Sequence, residues 1–202
     1  MPKVKFNTLE STCVPLPFEN VDTDQIIPAR FLSATTRQGF GDNLFRDWRY
    51  TKTGEKNSDF VLNNPDFTGK VLVAGKNFGS GSSREHAVWA IFDYGFRAVV
   101  SSFFADIFMN NALNNGLLPI VISDDLLKKL HAQIQKNPDT IVKIDLEKQT
   151  FTILSTGDSV KFEINPYKKE CLLKGLDDID FLLSMKSLIT SYENNKSLQN
   201  ES

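Results

Sequence analysis

Cysteine and histidine are scarce in this chain. Cys13, Cys171, His86 and His131 are the whole supply in 202 residues. No Cys-x-x-Cys pair occurs, so the spacing supports neither a zinc ribbon nor a thioredoxin-type redox centre. Two separated cysteines make no disulfide framework at this size. An iron–sulfur cluster takes three or four thiolates, more than this chain has, and no metal site is expected on it. Excess positive charge is lacking too. Lys and Arg number 23 against 25 Asp and Glu, for a formal net charge of −2. The basic footprint of a nucleic-acid or anionic-membrane binder is therefore absent. No apolar run approaches the roughly 20 residues that span a bilayer. The N-terminus has no signal-peptide core, so a cytoplasmic location is the expectation.

What the chain does have is a glycine-rich stretch from Val71 to Ala87. Val71–Ala74 is a short apolar run, as in a strand covered on both faces. Gly75, Gly79 and Gly81 permit positive φ and close approach of backbone to a ligand. Ser82-Ser83-Arg84-Glu85 fits the S-x-x-E capping box, which predicts a helix start there. A helix start presents N–H groups and a positive dipole end, suited to a carboxylate or phosphate, and Arg84 adds a forked permanent charge. Three familiar glycine loops fail on named residues. A Walker A loop needs Gly-Lys-Ser/Thr where this one ends Gly-Ser-Ser-Arg. The dinucleotide fingerprint needs a third glycine at Arg84, and the nucleophile elbow needs G-x-S-x-G.

Either side of that stretch, the pattern gives a single domain. Val4 to Leu16 has strand-like positions, and Pro15 and Pro17 point to an edge strand or the start of a crossover. Asp22 and Gln25 form a second capping-box pair, opening a helix that Pro28 keeps short. Ser33 to Phe60 is irregular, with a short helix around Asp42–Trp48; its arginines beside glycines fit a ligand-facing loop or a solvated one. From Gly69 strands and helices alternate through Gln135, which predicts right-handed crossovers and a parallel sheet. A hairpin follows at Ile141–Leu146 and Thr150–Leu154, then a strand at Val160–Ile164 and helices at Pro166–Leu173 and Ile179–Leu188. The polar residues 193–202 read as a frayed tail.

The motif G-x-G-S-S-R-E-H-A at Gly79–Ala87 closely resembles the signature of the aconitase swivel domain. Asn20 to Pro28, Gly39-Phe40-Gly41, Asp47-Trp48-Arg49-Tyr50, Asp93-Tyr94-Gly95-Phe96, Ser102 to Phe108 and Asn114 to Pro119 are similar to the small subunits of bacterial 3-isopropylmalate dehydratase. The resemblance implies an α/β fold over residues 1–192. It is a swivelling β/β/α domain, with a mainly parallel core sheet, flanking helices and an added hairpin. It implies a hydro-lyase that isomerises isopropylmalate by dehydration and rehydration. The chain would act only with a large-subunit partner that carries a 4Fe–4S cluster, on a small dicarboxylate substrate, with no nucleic acid or membrane involved.

Residue by residue, the resemblance makes Ser82 the catalytic base. Ser83, Arg84, Arg37, Asp24 and Thr23 would bind substrate, and Arg30 is the rival of Arg37. Glu85 and His86 would support them from behind. Read without the resemblance, Ser82 is a helix cap worth about 1 kcal/mol, Arg84 a surface arginine, and Thr23 and Asp24 helix-start residues. Phe31 and Leu32 suit either an isopropyl group or the core. Other function classes stay open at this point: a small subunit for citraconate or homoaconitate, a non-catalytic anion-binding domain, or an interaction module in which the glycine loop only packs.

Overall fold

A computed structural model describes residues 4–33, 38–184 and 186. Arg37 and the tail at 193–202 therefore lie outside the described residues. One seven-stranded sheet runs β4-β3-β2-β1-β5-β6-β7. The strands are β1 (Thr8–Leu16), β2 (Val71–Ala74), β3 (Ala98–Ser101), β4 (Leu118–Val121), β5 (Ile141–Asp145), β6 (Thr150–Ile153) and β7 (Ser159–Lys161). β1 to β4 pair in parallel, and β1-β5-β6-β7 pair antiparallel. The swivel-domain expectation holds. The sheet is evenly mixed, because the hairpin joins it directly through β5 on β1.

The helices are α1 (Thr23–Ile26), α2 (Arg46–Arg49), α3 (Glu85–Tyr94), α4 (Asp106–Asn114), α5 (Asp124–Lys136), α6 (Pro166–Lys174) and α7 (Asp178–Ser184). Alternation along the strands sorts the core into two layers. Leu72, Ala74 and Val99 face a layer that holds Ala87, Ile91 and Phe108 from α3 and α4. Val71, Val73, Ala98 and Val100 face the layer of Leu127, Leu130 and Ile134 from α5. The first layer is rich in phenylalanine, including Phe40, Phe45, Phe78 and Phe104. Each such burial contributes about 1.5–3 kcal/mol.

Two local expectations change. β1 is a central strand, although it contains Pro15. Its ladder with β5 covers Thr8–Thr12 only, and Pro15 lies past that ladder, paired to β2 alone. The missing N–H therefore falls on a side that is locally an edge. The helix expected around Asp42–Trp48 is broken into a 3-10 turn, Phe40–Asn43, and α2, with Phe45 between them at φ 47. Arg49 is turned inward rather than toward a ligand. It is 8% exposed. Its Nη1 reaches the carbonyls of Gly41, Asp42 and Leu44 at 3.3–3.5 Å, and the guanidinium lies 4.9 Å from the Tyr94 ring centre. Opposite it, the Gly41 N–H donates to Asp93 Oδ2 at 2.8 Å. These contacts fix the chain just after the segment that carries Arg37.

Candidate active site

The site forms where three connections leave the C-terminal ends of β1, β2 and β3, the usual place for ligands in parallel α/β sheets. The glycine loop after β2 is laid between the other two. On one side Gly79 N–H donates to Val21 O at 2.8 Å, and Thr23 N–H donates to Ser80 O at 2.9 Å. On the other, Phe78 N–H donates to Phe103 O and Ala105 N–H to Phe78 O, both at 3.2 Å. Single parallel bridges, Asp22 with Ser80 and Phe78 with Phe104, continue the sheet order above the strand ends. The predicted capping box at α1 is present: Gln25 N–H donates to Asp22 Oδ1 at 2.8 Å, and Asp22 N–H to Gln25 Oε1 at 2.9 Å.

A cleft of about 240 Å³ opens between the loop and the start of α4. Thr23, Gly79, Gly81, Ser82, Ser83 and Arg84 form one wall, and Ala105, Asp106, Ile107 and Phe108 the other. Gly79 is at φ +78, and a Cβ there would come within 2.2 Å of Phe108 Cγ. The two walls are thus in contact at their base. Sequence reasoning missed the second wall. Its signal was the place of Ala105–Phe108 directly after a parallel strand.

The second predicted capping box does not form. α3 begins at Glu85, and its N-cap Arg84 makes no side-chain cap bond. Ser82 and Ser83 are exposed beside the cleft, and the Ser82 hydroxyl bonds to no described residue. Glu85 turns to Asn115, whose Nδ2 donates to Glu85 Oε1 at 2.9 Å. The helix-cap role of Ser82 is therefore excluded, while Ser82, Ser83 and Arg84, just ahead of α3, line the cleft.

The other named residues divide. Arg84 lines the cleft with its side chain 15% exposed and donates to the Asp24 carboxylate, which is 55% exposed. Asp24 is thus the present partner of Arg84. Thr23 is buried, and its hydroxyl donates to Ser82 O at 2.8 Å. It lines the cleft but holds the Ser82 backbone. His86 sits behind the wall, with its ring 4.4 Å from Trp89 and 5.6 Å from Phe40. Arg30 is occupied elsewhere by a two-pronged ion pair with Asp47. That pairing raises the Arg30 pKa and lowers that of Asp47. Phe31 and Leu32 pack partly buried against the first core layer.

Among the described residues none fit an iron–sulfur cluster. Cys13 is buried in β1 and Cys171 in α6. Among the described residues no group of three or more His, Cys, Asp and Glu is placed to hold a metal ion. Among them, too, no helix is long and apolar enough to cross a membrane.

Residues 3–125 match the family model described as the aconitase C-terminal domain. The chain is 62% identical over 192 residues to the 3-isopropylmalate dehydratase small subunit of Azobacteroides pseudotrichonymphae, covering 95% of this chain and 98% of that one. It is 59% identical to the protein of the same name from Cytophaga hutchinsonii, covering 94% of each. The crystal structure of 3-isopropylmalate dehydratase from Methanocaldococcus jannaschii superposes with a TM-score of 0.66 at 31% identity, covering 92% of this chain and 99% of that one.

Proposed function

This chain belongs to the small-subunit family of 3-isopropylmalate dehydratase, an aconitase-type hydro-lyase of leucine biosynthesis, and we propose that within that enzyme it moves the carbon-bound proton and grips a substrate carboxylate. The reaction interconverts 2- and 3-isopropylmalate through 2-isopropylmaleate. Ser82, as its alkoxide, takes the proton from the carbon beside a carboxylate. The C–H electron pair becomes the new double bond as hydroxide leaves the neighbouring carbon. On rehydration the proton returns from Ser82 Oγ to the other carbon. The observation that carries this reading is the unused Ser82 hydroxyl at the mouth of a cleft that also holds Arg84.

An alkoxide needs stabilising, and the positive end of α3 with the Arg84 guanidinium supplies the right sign of field. Arg84 exchanges Asp24 for a substrate carboxylate, a two-pronged pairing that a guanidinium suits. Ser83 donates to the same group. Ala105, Ile107 and Phe108 give a branched alkyl group an apolar wall. Arg37 is the second carboxylate ligand, with Arg30 as its rival, paired to Asp47. Residues 1–192 work as one swivelling unit in the cytoplasm. The large subunit would hold a 4Fe–4S cluster, which when bound would supply Lewis-acid chemistry for loss of hydroxyl.

The test is reconstitution. The purified chain should be inactive alone on 2- or 3-isopropylmalate and active once the large subunit is added. In that complex Ser82→Ala should abolish turnover while leaving the melting temperature unchanged, because Ser82 caps nothing. A Ser82→Ala rate within about tenfold of wild type would reject the catalytic role.

A further inference from the structure

We propose that Asn115 is a positioning residue for the catalytic loop, acting through Glu85 on the helix start that carries Ser82 and Arg84. This rests on the roles given to Ser82 and Arg84 above. Asn115 is the C-cap of α4 and is 6% exposed. It does not line the cleft, yet every polar atom of its amide is used. Nδ2 donates to Glu85 Oε1 at 2.9 Å and to Asn111 O at 2.8 Å. Oδ1 accepts from Trp89 Nε1 at 3.1 Å. One buried amide thus joins the first residue of α3, the next turn of α3 and the end of α4.

The arrangement matters because α3 lacks the ordinary means of fixing its start. A serine cap would lock the register of the first turn, but the N-cap Arg84 makes no side-chain cap bond. The Glu85 carboxylate is held from outside the helix instead. Glu85 directly follows Arg84, so a shift of its backbone moves the guanidinium and the Ser82 hydroxyl relative to Ala105–Phe108. A buried asparagine suits this task. It can donate to a carboxylate and accept from an indole at once, which neither aspartate nor leucine can do. A charge-assisted bond in a partly buried setting is also stronger than a neutral one.

The experiment uses the enzyme reconstituted with its large subunit. Asn115→Asp keeps the acceptor for Trp89 but turns a carboxylate on Glu85. It should lower kcat about tenfold or more, with KM changed less, since loss of one charge-assisted bond is transmitted to the reacting group. Adding Glu85→Gln restores a donor–acceptor pair with reversed polarity, and the double variant should recover most of kcat. Glu85→Ala removes the contact without burying a charge, and it decides the question if Asn115→Asp fails to assemble. It should show the same selective loss in kcat. A normal kcat in Glu85→Ala, or a loss in Asn115→Asp that Glu85→Gln does not rescue, overturns the proposal. So does a lowered melt with kcat intact. Ser82→Ala in the same assay separates the two claims: if it leaves turnover unchanged, the parent assignment has failed. If it abolishes turnover while the Asn115 and Glu85 variants keep full kcat, only this inference has failed.

Discussion

Replacing Gly79 by alanine tests the geometry of the cleft most directly. Gly79 sits at φ +78, where an L-residue pays roughly 1–2 kcal/mol for its backbone alone. The new Cβ would also lie 2.2 Å from Phe108 Cγ, 2.5 Å from its Cβ and 2.6 Å from its Cδ2. Phe108 cannot swing aside. It is 2% exposed and packs edge-on to Phe78 at 5.2 Å and flat against Phe104 at 6.1 Å. Overpacking of this kind costs about 1–3 kcal/mol. The sum is about 2–5 kcal/mol, a fall in melting temperature of roughly 4–20 °C for a chain of this size. Gly157→Ala is the control. It has φ +77 with nothing within 4 Å of its would-be Cβ, so it carries the backbone penalty alone. The assay is a thermal melt of both variants beside steady-state kinetics of the reconstituted enzyme. Gly79→Ala should melt several degrees below Gly157→Ala. It should also lose catalytic efficiency out of proportion to its stability, because relief of the clash moves α4 and widens the cleft. Equal melts for the two variants would refute the contact argument, and full activity in Gly79→Ala would separate the cleft from the chemistry.

Arg84→Lys keeps the charge but removes the fork, and catalytic efficiency of the complex should fall about ten- to a hundredfold with the melt unchanged; unchanged kinetics would make Arg84 an ordinary partner of Asp24. Burial lowers the His131 pKa below its ordinary 6.5, more strongly than the nearby Ala74 backbone raises it. The unfolded chain therefore binds the extra proton first, so stability should decline as pH falls below about 6.5 toward the depressed folded value. In urea melts between pH 7 and 5, His131→Asn should lose part of that slope, and an identical slope would contradict the burial argument. The Cys13 thiol is pushed up to about 12 by burial, so iodoacetamide should leave it unmodified in the folded chain and label it in urea. Rapid labelling of Cys13 under native conditions would show that β1 opens to solvent.

The parts of the fold that were legible in the sequence are those fixed within a few residues. Asp22 and Gln25 complete their capping box because both partners lie on one turn of chain. The order of strands and helices after Gly69 is likewise carried by local periodicity. Other features turn on partners far away in sequence. Pro15 signals an edge, and at its own position β1 is one; only the pairing with residues 141–145 makes the strand central. Thr23 and Asp24 are tied by their side chains to Ser82 O and Arg84, 59 and 60 positions on, a link no local pattern shows. Nothing in the local pattern of Ala105–Phe108 marks it as a cleft wall. Gly79 gives it that role, by letting α4 approach the loop.

The failed capping box is a different case, because there the local rule and the proposed chemistry want opposite things from one serine. A capping Ser82 would aim its oxygen at a helix N–H and gain about 1 kcal/mol of stability. That hydrogen bond would also draw on the lone pairs a base must present to a C–H bond. Starting α3 at Glu85 forgoes the cap and leaves the hydroxyl on the cleft side. The stability given up is recovered from two sources that do not touch Ser82. A carboxylate in the first turn interacts favourably with the helix dipole by about 0.3–1 kcal/mol. Its hydrogen bond to the buried Asn115 amide adds about 1.5–3 kcal/mol, in the range for bonds to charged groups. Together these match or exceed the missing cap. The chain therefore keeps an uncapped serine at a helix start without a net loss in stability, and the residue that makes this possible lies 30 positions from the carboxylate it holds.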